Sequence, residues 1–256
     1  MGIYVVADVH GAPDEVAKAV PEGATLLLLG DLVNFIDYTS MSGILTEVFS
    51  LETVDQVVRL RTAGQVDAAR EVMRRRAEGR EDEIAGEIRR RVAEQYRRVL
   101  ARLPDPTYLV LGNVDNPEIA RPLIEATPAV REVDGRAVTI AGDRVGFVGG
   151  GLPTALRVAG EIPQEKMKAK VDGLGEVDVV CSHVPPSVPE LCFDTRARRC
   201  ERGSDDLLRY IEDVQPRRAY FGHIHQPLVS CMHVGRTLCI NVGYFRATRR
   251  AFPHDR

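Results

Sequence analysis

The chain has 256 residues, 44% hydrophobic and 28% charged, which fits one large domain or two small ones and excludes wholesale disorder and a disulfide-stapled mini-protein. Lys plus Arg is 34 against 37 for Asp plus Glu, a formal net charge of −3, so no overall positive field makes nucleic acid the default partner. The apolar opening over residues 3–7 meets Asp8 without a basic leader, and the leucine run at 26–29 stops at Gly30-Asp31; neither an export signal nor a membrane span is expected.

Taken in chain order, apolar runs predict strands over residues 3–7, 25–29, 108–111, 137–141, 145–148, 177–181, 219–221, 228–232 and 237–242. Most are near-continuously apolar, as in strands covered on both faces. Between the second and third runs, from about residue 36 to 103, the sequence reads as helices. Residues 70–102 hold eleven Arg and seven acidic residues, while Ile84, Ile88, Val92, Tyr96, Val99 and Leu103 recur at spacings of four and three. That is an apolar stripe on a helix of about five turns. Gly64 and Gly79 are plausible breaks between helices. This Arg-rich insertion reads as a solvated hairpin packed on the sheet, or as a substrate lid or dimerising arm. Cys181, Cys192, Cys200, Cys231 and Cys239 contain no C-x-x-C pair. They read as reduced thiols of a cytoplasmic protein, acting as small buried hydrophobes rather than metal ligands.

Five short motifs follow predicted strands: Asp8-Val9-His10-Gly11, Gly30-Asp31-Leu32-Val33-Asn34, Gly112-Asn113-Val114-Asp115, Ser182-His183-Val184-Pro185-Pro186 and Gly222-His223-Ile224-His225. Polar groups at the carboxyl ends of strands mark the usual place of α/β active sites. Four of the six histidines lie in these motifs. Alternation by two, in Asp8-x-His10 and His223-x-His225, places both side chains on one side of an extended segment. Asp8, His10, Asp31, Asn113, His183, His223 and His225 offer oxygen and nitrogen donors. Such a mixed set suits Mn²⁺, Fe or Zn²⁺ better than Ca²⁺ or a thiolate site, and seven donors with a shared carboxylate suit two ions about 3.5–4 Å apart.

In order and type, the five motifs resemble those of the calcineurin-like metallophosphoesterase superfamily. The resemblance covers residues 8 to 225, nearly the whole chain. It implies an α/β fold, a four-layer α/β/β/α sandwich of two mixed β-sheets, here as a single domain with the helical insertion. It implies that Asp8, His10 and His225 hold one metal, that Asn113, His183 and His223 hold a second, and that Asp31 bridges them. The cofactors are then two divalent ions, Mn²⁺ favoured, and the reaction is attack of a hydroxide between them on the phosphorus of a small phosphoester. Asp31, Asn113, Asp115 and His183 are the residues expected nearest the chemistry.

The sequence departs from the superfamily pattern at two points. Val114 stands where a histidine usually protonates the leaving group or positions substrate, which leaves Asp115 without its usual partner. General acid catalysis contributes about 10²–10⁴-fold, so a phosphodiester or small nucleotide-type substrate with a good leaving group is expected. A phosphomonoesterase, or a catalytically weak binding scaffold of the same fold, is the alternative. Asn34 and Phe35 occupy positions where the superfamily often has Asp, sometimes followed by Arg. Arg196, Arg198 and Arg199, in a basic stretch between the fourth and fifth motifs, are candidates to grip phosphate oxygens in place of such an arginine. No membrane or nucleic-acid partner is expected; the stripe of the insertion packs either within the chain or across a homodimer.

Overall fold

The strands form where an apolar run can be covered on both faces. The structure, a computed structural model, describes residues 2–255. The first half contains β1 (Ile3–Val6), α1 (Pro13–Ala19), β2 (Thr25–Leu28), α2 (Ile44–Val48), α3 (Leu51–Thr62), α4 (Val66–Ala77), α5 (Glu81–Leu100), β3 (Thr107–Leu109), α6 (Pro117–Glu125) and β4 (Val130–Glu132). Next come β5 (Arg136–Ile140), β6 (Asp143–Val148), α7 (Gln164–Asp172), β7 (Val179–Ser182), α8 (Pro189–Cys192), β8 (Phe193–Asp194) and β9 (Arg199–Cys200). The chain ends with α9 (Asp205–Val214), β10 (Arg218–Phe221), β11 (Cys231–Val234), β12 (Thr237–Asn241), α10 (Phe245–Thr248) and β13 (Phe252–Pro253).

Two mixed sheets result. The first has the order β13-β1-β2-β3-β4, parallel throughout except for β13. The second has the order β11-β12-β10-β7-β6-β5, with a parallel centre and an antiparallel strand at each edge. Strand alternation divides the core. Leu26 and Leu28 of β2 face the helices beside the first sheet, while Leu27 and the following Leu29 face the second sheet. In β10, Tyr220 faces the first sheet, and Ala219 and Phe221 face the outer layer containing α7 and α9. Three apolar layers between four structural layers make the α/β/β/α sandwich.

Between β2 and β3 the chain runs through α2–α5. Gly64 and Gly79 stand just past α3 and α4 with φ of 75° and 79°, the left-handed geometry that ends a helix. The stripe of α5 is consumed inside the chain: Ile84, Val92, Tyr96 and Val99 are buried, the last three within the core layer beneath the first sheet. Most insertion arginines are paired within their own helices, as in Arg74 and Arg75 with Glu71, Arg90 and Arg91 with Glu87, and Arg98 with Glu94.

Two expectations need correction. The strand expected at 228–232 starts at Cys231, because the N–H groups of Leu228 and Val229 go to the carbonyls of Phe193 and Glu190 instead of a ladder. All five cysteines are free, but only Cys181, Cys192 and Cys239 are buried. Cys200 lies in the two-stranded β8–β9 ribbon and Cys231 on the edge strand β11, where one side of each strand is open.

Candidate metal centre

The site forms where parallel strands of both sheets end. Past β1 and β2 the pairing continues into the loops: Asp8 N–H donates to Gly30 O at 3.1 Å, His10 N–H to Asp31 O at 2.9 Å and Gly11 N–H to Leu32 O at 2.8 Å. Asn113 follows β3, His183 follows β7, and His223 and His225 follow β10. His183 Nδ1 bonds Leu29 O at 2.8 Å, and the His223 N–H donates to Asp8 Oδ2 at 2.9 Å, so each sheet holds a ligand loop of the other. Asp8, His10, Asp31 and His223 have φ of 57°, 41°, 56° and 67°, a left-handed geometry that non-glycine residues hold only where contacts enforce it. The segments are therefore not extended, and the alternation argument fails for His223-x-His225. His225 turns to His10, at 3.3 Å between Nε2 atoms, whereas His223 Nδ1 turns to Asn113 Oδ1 at 2.9 Å.

The loops pack with no room to spare. A Cβ on Gly112 would collide with Asp31 Oδ1 and His183 Cε1, and one on Gly222 with Ala7 and Asp8. Two groups of converging ligand atoms result: Asp8 with His10 and His225, and Asp8 with Asp31 and His183. Asp31 presents Oδ2 to His10 Nε2 at 3.7 Å and Oδ1 to His183 Nε2 at 3.6 Å.

The donor chemistry fits cations. Val33 O and Leu29 O can only accept, so His10 Nδ1 and His183 Nδ1 carry the protons of these bonds, and each neutral ring turns an Nε2 lone pair inward. His183 Nε2 then meets Asn113 Oδ1 at 2.8 Å, acceptor against acceptor. Among the described residues Asp8 Oδ1 is buried with no hydrogen-bond partner, a costly state for a carboxylate unless a cation compensates it. Burial holds His183 down to about 4, and burial together with repulsion between the two adjacent imidazoles, were both protonated, holds His223 down to about 3. It also lowers His10 and His225. The rings are therefore neutral and ready to ligate. Burial raises Asp8 and Asp31, and the charge of Asp31 raises Asp8 further.

The other expected residues lie at different depths. Asp115 is buried and accepts from the N–H groups of Asp31, Leu32 and Gly112 at 2.8, 3.0 and 2.8 Å and from the Tyr96 hydroxyl at 3.1 Å. Burial and the Asp31 charge push it up to about 7. Its contacts brace the loops carrying Asp31 and Asn113. Val114 packs at the edge of the core beside the first sheet. Asn34 Nδ2 donates to Ser42 O at 3.3 Å, which ties it to the 37–42 loop. Arg196 and Arg198 are exposed, without side-chain hydrogen bonds or ion pairs among the described residues, while Arg199 pairs with Glu201 at 2.8 Å. Asp194 fixes this ribbon beside the site, accepting from the N–H groups of Arg196, Ala197 and Gln226. Sequence reasoning missed Tyr244, stacked on His225, and Arg246, bonded to His10 O. Neither follows a strand directly or carries a recognisable spacing.

Two mixed sheets between helical layers, with carboxylates and neutral imidazoles converging at their strand ends, define a metal-binding α/β/β/α protein. The model of the calcineurin-like phosphoesterase family matches residues 1–227, and the chain belongs to that family. It is accordingly a metal-dependent phosphoesterase of the calcineurin-like type. A solved crystal structure is similar over 100% of this chain and 99% of its own, with a TM-score of 0.60 at 15% identity, a likeness in fold alone. No curated protein matches the sequence. Among the described residues, no helix is long and apolar enough to cross a membrane.

Proposed function

We propose that the protein hydrolyses phosphodiesters or small nucleotide-type phosphoesters with two divalent cations, Mn²⁺ favoured. Asp8, His10 and His225 would hold one ion, Asn113, His183 and His223 the other, and Asp31 would face both. When bound, such a pair lowers the pKa of water and offsets charge on phosphoryl oxygens. Val114 carries the diester preference. Its side chain has no proton to give, and Asp115 already accepts four hydrogen bonds. An alkyl leaving group therefore departs without the usual acid, and an aryl or nucleotide leaving group needs it least. Arg196 and Arg198, with unpaired guanidinium groups on the β8–β9 ribbon, would grip phosphate oxygens, with Arg199 and Asn34 as further contacts.

Paired insertion arginines favour a small substrate over nucleic acid. With the α5 stripe buried, a dimer through the insertion would use its outer charged faces. Five unbridged cysteines accord with a cytoplasmic setting.

The test is chelation followed by Mn²⁺ add-back, with bis-p-nitrophenyl phosphate and a sugar monophosphate as substrates. Activity should vanish with the metal, return with it, and favour the diester. Val114→His should raise monoester turnover by about tenfold or more. Replacing Arg196 and Arg198 together by Ala should raise KM severalfold. Full activity without metal, or a clear monoester preference in the unaltered protein, overturns the reading.

A further inference from the structure

One short segment touches every member of one ligand cluster. At the end of β12, Asn241 Nδ2 donates to Ile224 O at 2.9 Å and Gly222 O at 3.4 Å, fixing the turn that carries His223 and His225. Tyr244 lies flat on His225, with ring centroids 3.9 Å apart and planes 3° from parallel, and meets His10 edge-on at 5.6 Å. Arg246 donates its backbone N–H to Asp8 O at 3.1 Å. Its guanidinium uses three nitrogens on three acceptors: Nη1 to His10 O at 2.6 Å, Nε to Asp37 Oδ2 at 3.2 Å and Nη2 to Ser42 Oγ at 3.1 Å. Asp37 is itself fixed, since its Oδ1 accepts from the N–H groups of Thr39 at 2.7 Å and Ser40 at 3.3 Å.

The other ligands have other supports. His183 is oriented by Leu29 O, and Asp31 accepts from the Val114 N–H at 3.0 Å. Of the four ligands with left-handed backbone, Asp8, His10, Asp31 and His223, Arg246 bonds the carbonyls of Asp8, through its backbone N–H, and His10, through its guanidinium.

We propose that residues 241–246 form a positioning element for one of the two cation sites, the one built from Asp8, His10 and His225, and that Arg246 is its principal positioning residue. The proposal rests on the two-cation reading above. The guanidinium spans the gap between the His10 loop and the 37–42 loop as a rigid fork. A lysine ammonium is a single point on a flexible stem and cannot reproduce that geometry. Without the fork, the His10 carbonyl loses its guanidinium donor and His10 relaxes from its left-handed conformation, so one site loosens, while the backbone bond to Asp8 O and the site around Asn113 and His183 are kept. Partners that orient metal ligands are typically worth 10–100-fold in metal affinity.

The test is Mn²⁺ titration of the metal-free full chain, followed by calorimetry and electron paramagnetic resonance, with circular dichroism to show that each variant is folded. The unaltered protein should take up two equivalents and give the spectrum of a spin-coupled pair. Arg246→Ala and Arg246→Lys should bind one equivalent at unaltered affinity and the second about 10–100-fold more weakly. At one equivalent they should show the hyperfine pattern of an isolated ion. Asp37→Asn, which removes the carboxylate charge yet keeps an acceptor for Thr39 and Ser40, should shift the second equivalent in the same direction. Two equivalents at unaltered affinity in these variants, or equal weakening of both, overturns the positioning role alone. Fewer than two equivalents in the unaltered protein removes the two-cation reading, and this proposal with it.

Discussion

At position 112 a single methyl group decides whether the ligand loops can close. An added Cβ would lie 2.6 Å from Asp31 N and 2.7 Å from His183 Cε1, so backbone and a ligand ring would both have to move. Gly86, on the exposed side of α5, offers the opposite case, because a Cβ there meets nothing within 4 Å. Gly112→Ala should cost about 1–3 kcal/mol as overpacking and lower metal content. Gly86→Ala should add about 0.5–1 kcal/mol, because alanine loses less backbone freedom in a helix. Thermal melts of the two variants should shift in opposite directions; equal shifts would mean that the crowding at Gly112 is not real.

Among the elements, α5 does more than cover the sheet. Tyr96, on its buried face, donates to Asp115 and accepts the Asn116 N–H at 2.7 Å, while the neighbouring Gln95 accepts the Asn34 N–H at 2.8 Å. The insertion thereby holds the loops after β2 and β3. Tyr96→Phe keeps the ring but strands the Asn116 N–H and removes one donor from Asp115, a loss of about 1–3 kcal/mol. The urea midpoint should fall with an unchanged slope; an unmoved midpoint would show that the hydroxyl bonds are dispensable. The stripe itself was legible, since Ile84, Val92, Tyr96 and Val99 mark a buried helix face by period alone. Its destination was not, because periodicity names a face and never the surface it meets. The same limit holds at the site. Asp8, Asp31, Asn113 and His183 could be read because each ends an apolar run. Tyr244 and Arg246 could not, because they reach His10 and His225 only after β12 is laid beside β10 and the chain crosses back to β1. The divergence of His223 from His225 was implied by the resemblance, which gave them to different ions, but spacing alone could not show it, because it lies in a backbone angle. Strands as short as β4, β8, β9 and β13 leave too few residues for any pattern.

For the molecule as a whole, the C-terminal strand joins the two sheets at the end remote from the metal centre. β13 pairs antiparallel with β1, and the His254 N–H donates to Ile3 O at 2.8 Å. The His254 ring lies between Tyr220 Oη at 2.9 Å and Asp143 Oδ2 at 3.2 Å, both in the second sheet. Arg217 joins the same carboxylate at 2.7 Å. Tyr220 is fully buried, so its hydroxyl relies on side-chain partners, His254 and Arg218. His254→Ala should therefore strip one hydrogen bond from a buried hydroxyl that keeps its Arg218 contact, and cost about 0.5–1.5 kcal/mol. It should also free β13 from the edge of β1, exposing unpaired strand N–H and C=O groups that favour association between copies. Ile3 is at the opposite end of β1 from Asp8, so Mn²⁺ stoichiometry should be unchanged. Limited trypsin digestion should cut faster after Arg249 or Arg250, and light scattering should rise on warming. If the variant loses metal as readily as it loses its tail, the two ends of the first sheet are coupled and the tail is part of the site's framework; if neither proteolysis nor melting changes, the His254 contacts do not hold the sheets together.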